Sequence, residues 1–300
     1  YDEYWEIWKS QHNGKMFSKD NLNEEEIEIL KNYEGVTLKM LCWRRLKINN
    51  SSLDQFNQEY PISDDVAFIS TGASVFDNKR VSTVLQVLLL EKIKYIPKND
   101  IEDLPNELLK FYGKSFFIYK KPISGMRYFI GVDTSEGLGK DYSTIIVLDK
   151  DGEEVAMFKN NKIKPYMFAE IVNILGRYYN KAYLVVEKAS GGHSVIERLK
   201  HDYNYRNMCK YTTYDQFNRA ILNVGFDTNL KTKSIAINDL REMFDKGLLK
   251  LHSSEILEEM KVFEVRDNGS MGAMSGYHDD LVMALALAIA GVKSGIYYKW

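Results

Sequence analysis

The sequence predicts an α/β fold built on a mixed sheet, and three observations carry that prediction. Four short runs rich in β-branched and aromatic residues follow one another closely between Ser115 and Lys159. A helical pattern, a buried strand ending at Glu187 and a further helix then alternate. The chain closes on an apolar stretch, Leu281 to Val292, too long for one strand and well short of the ~20 residues that cross a bilayer. A chain of 300 residues, 45% hydrophobic and 27% charged, has room for one large domain or two smaller ones.

The elements follow in order. Residues 1–112 read as a mainly helical and irregular segment, and residues 113–300 as the sheet domain. In the first segment Asn23-Glu-Glu-Glu-Ile starts a helix with a capping residue and an acidic first turn. Val81 to Lys94 carries an apolar stripe, and the polar stretch Asn49 to Asp77 reads as a connector. The strands are expected at Ser115–Lys120, Arg127–Asp133, Ser143–Asp149 and Glu154–Lys159, with Asp151-Gly152 as a two-residue hairpin turn between the last two. Pro165 opens a helix to about Asn180. Ala182–Glu187 is a strand, and helices are expected from Ser194, over Lys231–Phe244 and over Glu255–Glu264, before the terminal apolar helix.

Composition excludes some function classes. Cys42 and Cys209 form no CxxC, which argues against a disulfide framework or thiolate zinc site and suits a reducing compartment. No targeting segment is visible, and an opening Tyr1 without an initiator Met fits a fragment or a processed product. A net charge of −2 says nothing about nucleic acid. Local basic clusters, Arg44, Arg45 and Lys47, then Lys110, Lys114, Lys120 and Lys121 among aromatics, read first as solvated faces.

The acidic residues are placed oddly. Asp133 ends the apolar strand Tyr128-Phe-Ile-Gly-Val, Glu187 ends Tyr183-Leu-Val-Val, and Asp279 and Asp280 stand at the mouth of the final apolar helix. Strand ends in α/β sheets cluster at one edge, where ligands bind. Carboxylates gathered there repel unless a cation neutralises them, and an oxygen donor set without His or Cys suits Mg²⁺ or Mn²⁺. Each acid also has a plainer reading: Asp279 or Asp280 as a helix cap, Asp133 or Glu187 as a turn residue.

The wording of these segments goes further. Gly131-Val-Asp-Thr-Ser-Glu-Gly-Leu-Gly-Lys-Asp-Tyr-Ser-Thr resembles the first nuclease motif of the large terminase subunit of tailed bacteriophages. Val186–His193 and Gly276–Ala286 resemble its other nuclease motifs, and Thr228–Lys233 and Gly247–Leu251 also look like the family. Upstream, Leu41–Arg45 and Phe56–Phe76 resemble the segment joining that family's ATPase to its nuclease, so the resemblance covers nearly the whole chain.

The resemblance implies an RNase H-like nuclease domain and a metal-dependent endonuclease that cuts concatemeric viral double-stranded DNA during packaging, with two Mg²⁺ or Mn²⁺ ions. Asp133, Glu187 and Asp280 match its catalytic, metal-binding acids, with Asp279 as a further ligand or helper. Asp141, His278, Lys231 and Lys233 are candidate helpers. It also implies a portal protein and a small terminase subunit as partners, no membrane, and a place in the host bacterial cytoplasm at the procapsid.

There are two departures. No GxxxxGK[ST] phosphate loop is present, since Gly137-Leu-Gly-Lys140 lacks the first glycine. Lys188-Ala189 follows Glu187 where the family often has Asn-Gly or a similar small polar pair. Two other readings stay open: a non-catalytic docking module of the packaging motor, and an actin-like or sugar-kinase-like phosphotransferase. The latter would need a second hairpin of the DxG type matching Asp133–Ser143 later in the chain, and no such match is found.

Overall fold

Strand-forming and helix-forming runs segregate much as their side chains dictate. The computed structural model describes residues 1–50, 56, 59–60, 74–91, 95–101, 103–266 and 268–294. The chain divides into two units, Tyr1–Gly72 and Ala73–Trp300. The expected boundary at 112/113 therefore falls inside the second unit. Hydrophobic burial is the reason: Val81 and Leu85 share one core with the terminal helix, while Ile101, Leu104 and Leu108 share the other with the sheet. Most of the connector read at Asn49–Asp77, and Lys94, lie outside the described residues.

The first unit contains α1 (Asp2–Gln11), α2 (Glu24–Asn32) and α3 (Leu38–Asn50). Asn23 caps α2 as expected: its side chain accepts the Glu26 N–H at 2.8 Å, and Glu26 accepts the Asn23 N–H at 3.0 Å. Trp8, Phe17, Ile29, Leu41, Cys42 and Leu46 form the core. The basic cluster works inside this unit: Arg44 pairs with Glu25, Arg45 pairs with Glu26, and the Arg45 guanidinium lies 4.8 Å from the Phe17 ring centre.

The second unit begins with α4 (Asn78–Glu91) and the short α5 (Asn106–Leu109). Its main sheet contains β1 (Phe116–Ile118), β2 (Tyr128–Asp133), β3 (Ser143–Asp149), β4 (Glu154–Asn160) and β5 (Tyr183–Val186), in the order β1-β4-β3-β2-β5. Only the β2–β5 pair is parallel. On one face Ile130, Val132, Ile145 and Val147 pack with α6 (Pro165–Tyr178) and α7 (Gly192–His201). On the other, Ile146, Leu148 and Met157 pack with α8 (Leu230–Asp245), α9 (Ser254–Lys261) and α10 (Asp280–Ser294). Helices on both faces explain why the central strands read as continuous apolar runs.

Two hairpins were not expected from the sequence. β6 (Lys210–Tyr214) and β7 (Ala220–Val224) form an exposed ribbon whose residues face no deep core, so no alternation marks it. β8 (Phe263–Val265) pairs with β9 (Met271–Ala273), which ends α9 at Lys261, short of the expected Glu264. No helix among the described residues is long and apolar enough to cross a membrane.

The β3–β4 turn is one residue longer than expected. Asp149 N–H donates to Glu153 O at 2.9 Å, leaving Lys150, Asp151 and Gly152 in the loop, with Gly152 at a φ of 86°. Beside it, burial raises the Glu153 carboxyl, but hydrogen bonds from Lys120, His252 and Lys250 outweigh burial and lower it from 4.5 to about 2. The folded value lies below the unfolded one. The resulting stabilisation is present above pH 4.5 and lost as pH falls through about 2. Glu153→Gln should flatten the fall in melting temperature across that window, measured by calorimetry from pH 5 down to about 2.

Candidate active site

Parallel pairing sets two of the predicted acids side by side. β2 and β5 are in register from Phe129↔Tyr183 to Val132↔Val186, and Glu187 N–H donates to Val132 O at 3.0 Å. Asp133 and Glu187 therefore leave the sheet at the same edge. The glycines after Glu187 keep the following turn tight: a Cβ on Gly192 would lie 1.7 Å from Glu187 O. The departing Lys188 leans away from the acids, its Nζ 3.0 Å from Tyr211 Oη on the β6–β7 ribbon.

The terminal helix brings the other two acids. A Cβ on Gly131 would lie 1.9 Å from Ala284 O and 2.4 Å from Ala288 N, so the missing side chain lets α10 rest directly on β2. Gly291, two turns further on, lies against Phe129, Tyr183 and Val185 near the strand starts. The helix thus runs against the direction of β2 and β5, and its first turn arrives at the edge that holds Asp133 and Glu187. Two hydrogen bonds fix it there, Thr144 Oγ1 to Asp280 O at 2.8 Å and Tyr142 N–H to Asp280 Oδ2 at 3.3 Å.

The helix-cap reading of the two aspartates meets a different acid. The Leu281 and Val282 amides, which a capping side chain would take, donate instead to Glu259 Oε2 of α9 at 2.8 and 3.2 Å. Burial pushes the Glu259 carboxyl up to about 7, opposed by the neighbouring Lys159 and by these amides. Lys159 Nζ lies 2.9 Å from Glu259 Oε1.

Asp133, Glu187, Asp279, Asp280 and Asp141 line one cavity of about 320 Å³, together with Thr134, Ser135, Glu136, Lys140, Ser190 and Lys233. Lys233 Nζ lies 3.2 Å from Asp279 Oδ2. His278 is outside the lining, with Nδ1 3.5 Å from Asp280 Oδ2 and its ring edge-on to Tyr142. Lys231 is not among the lining residues. Lys120 sits at the other end of the sheet: β1 pairs antiparallel to β4, and Lys120 ion-pairs with Glu153 beside the β3–β4 turn.

The field in the cavity is strongly negative. Burial, then a hydrogen bond shared with Glu187, then the charges of Glu187, Asp280 and Asp279 push the Asp133 carboxyl well above its ordinary range. Burial raises Asp280 to about 6, with Asp279 and Asp141 adding to it while the Tyr142 N–H and His278 oppose it. Among the described residues no group of three or more His, Cys, Asp or Glu side chains stands close enough together in this structure to hold a metal ion. The donors facing the cavity are carboxylate oxygens, whose hardness and charge fit Mg²⁺ or Mn²⁺.

Sequence reasoning missed Lys140, which has no place in a phosphate loop yet lines this cavity, and Glu259, whose link to the helix is purely spatial. The Gly191-Gly192 pair was the available signal for the close turn that carries Ser190 to the cavity.

Residues 130–291 match the model of a family described as the terminase RNase H-like domain. The solved large terminase nuclease of thermophilic phage G20c with bound magnesium is 22% identical. The match covers 73% of this chain and 97% of that one, with a TM-score of 0.52. The cobalt-bound structure of the same nuclease gives the same identity, coverage and score.

Proposed function

The chain belongs to the terminase RNase H-like domain family, and from that premise we propose that it is a metal-dependent endonuclease cutting concatemeric viral double-stranded DNA during genome packaging. The observation that carries the proposal is the convergence of four carboxylates, from two strand ends and one helix start, on a single cavity. Asp133, Glu187 and Asp280, with Asp279, are the residues that would hold two Mg²⁺ or Mn²⁺ ions. Bound there, such ions supply Lewis acidity and a water acidic enough to attack a phosphodiester near neutral pH.

The protein's own groups do the rest. Tyr142 N–H and Thr144 fix the Asp280 main chain and carboxylate, and the β2–β5 register sets the Asp133–Glu187 spacing. Lys140 and Lys233, at the cavity wall, are the cations best placed to meet backbone phosphate. A portal protein and a small terminase subunit are the partners this reading entails, at the procapsid in the host bacterial cytoplasm. The magnesium and cobalt in the G20c nuclease structures support the choice of a divalent ion.

The test is nicking and linearisation of supercoiled plasmid with Mn²⁺, Mg²⁺ or EDTA. Cutting is expected with either ion, to stop with EDTA, and to fall steeply as salt rises. Absence of cutting under any metal would count against the proposal and favour a docking role. Thermal stabilisation by nucleotide would instead favour a phosphotransferase.

A further inference from the structure

We infer that Glu259 is a positioning residue that takes over the amides Asp279 would otherwise cap, and so keeps the Asp279 carboxylate turned into the cavity. α10 starts at Asp280, and the Met283 N–H donates to Asp279 O at 2.9 Å, which puts Asp279 at the N-cap position. An N-cap side chain accepts from the second or third helical amide, here Leu281 or Val282. Those two amides are the ones that Glu259 Oε2 holds.

Glu259 reaches them from the last turn of the neighbouring α9, buried and paired with Lys159. With the N–H donors beside it already taken from outside, Asp279 is left to Lys233 across the cavity wall. The arrangement resolves a conflict built into the sequence. A helix mouth attracts the nearest carboxylate, and a metal site needs that same carboxylate facing the other way. A third acid from another helix satisfies the mouth.

The inference rests on the reading of Asp279 as part of the metal site, but its decisive test needs neither metal nor DNA. Four proteins are melted in EDTA: parent, Glu259→Ala, Asp279→Ala and the double variant. In the Glu259→Ala background Asp279 swings onto the vacated amides and becomes a true cap. Asp279→Ala then lowers the melting temperature by roughly 2–4 °C more than it does in the parent, the loss of one cap.

Titration calorimetry with Mn²⁺ supplies the second readout. Glu259→Ala should weaken binding by roughly 10–100-fold. Glu259→Gln, whose amide oxygen still accepts both N–H groups, should restore it. Equal melting effects of Asp279→Ala in both backgrounds would overturn the inference. So would a Glu259→Ala protein that cannot fold, since Asp279 is expected to replace the cap, or a Glu259→Gln variant as weak as Glu259→Ala. If Mn²⁺ binds none of the proteins while the melting cycle behaves as expected, the cap exchange stands and the metal reading falls.

Discussion

Replacing Asp133 or Asp280 with Asn is expected to lower metal-dependent plasmid cleavage by roughly 10³-fold, because a Lewis-acid ion contributes several kcal/mol to phosphodiester hydrolysis. Asn keeps the shape and one oxygen but loses the charge that holds a hard cation. The same change should not harm the fold. Asp133 is a half-buried carboxyl crowded by Glu187, Asp280 and Asp279, and removing its charge relieves that repulsion. In EDTA the Asp133→Asn protein should therefore melt at or above the parent temperature, with each kcal/mol of relief raising it by roughly 2–4 °C. Saturating Mn²⁺ should reverse the order, since the parent gains binding energy that the variant cannot. A variant that cuts as fast as the parent would remove Asp133 from the proposed chemistry. One that melts far lower would make it a structural residue.

Gly131→Ala is expected to be among the most damaging single-methyl additions in the second unit. The added Cβ would lie 1.9 Å from Ala284 O and 2.4 Å from Ala288 N, both backbone atoms of a helix that cannot step aside. α10 would have to lift from β2 along its length, exposing Leu281, Leu285 and Ile289, which are fully buried. Overpacking of this kind costs about 3 kcal/mol or more, a large share of the ~5–15 kcal/mol that holds a domain folded. Gly291→Ala is the control. Its Cβ meets only side-chain atoms of Val185, Phe129 and Tyr183, the nearest at 3.1 Å, so a small adjustment accommodates it. Circular-dichroism melts of both variants decide the matter. Equal stability would mean that the helix does not depend on close contact at Gly131.

The sequence by itself determined the elements and the chemistry on offer. Apolar runs of β-branched and aromatic residues specify β2 to β5 because such strands fit between two helical layers, and each run ends on an acid or a turn. Asn23 and Pro165 mark helix starts through local hydrogen bonding and a fixed φ, which need no tertiary partner. Asp133, Glu187, Asp279 and Asp280 were legible for the same reason, as charges set against apolar stretches. The exposed β6–β7 ribbon left no such mark, since a strand without a buried face has no alternation to read.

What only the tertiary structure decided is who faces whom. The parallel β2–β5 register, not spacing along the chain, places Glu187 beside Asp133. The segment before Phe116 belongs with the sheet unit because Val81, Leu85, Ile101, Leu104 and Leu108 complete its two cores, a contact invisible to a linear boundary. Lys140 enters the cavity and Lys231 does not, although the sequence pointed to Lys231 as a helper and gave Lys140 no role. Above all, Asp279 and Asp280 looked like caps because a helix mouth needs an acceptor nearby. An acceptor 22 and 23 residues upstream of the two amides satisfies that need just as well once two helices pack, since hydrogen bonding acts through space and takes no account of chain order.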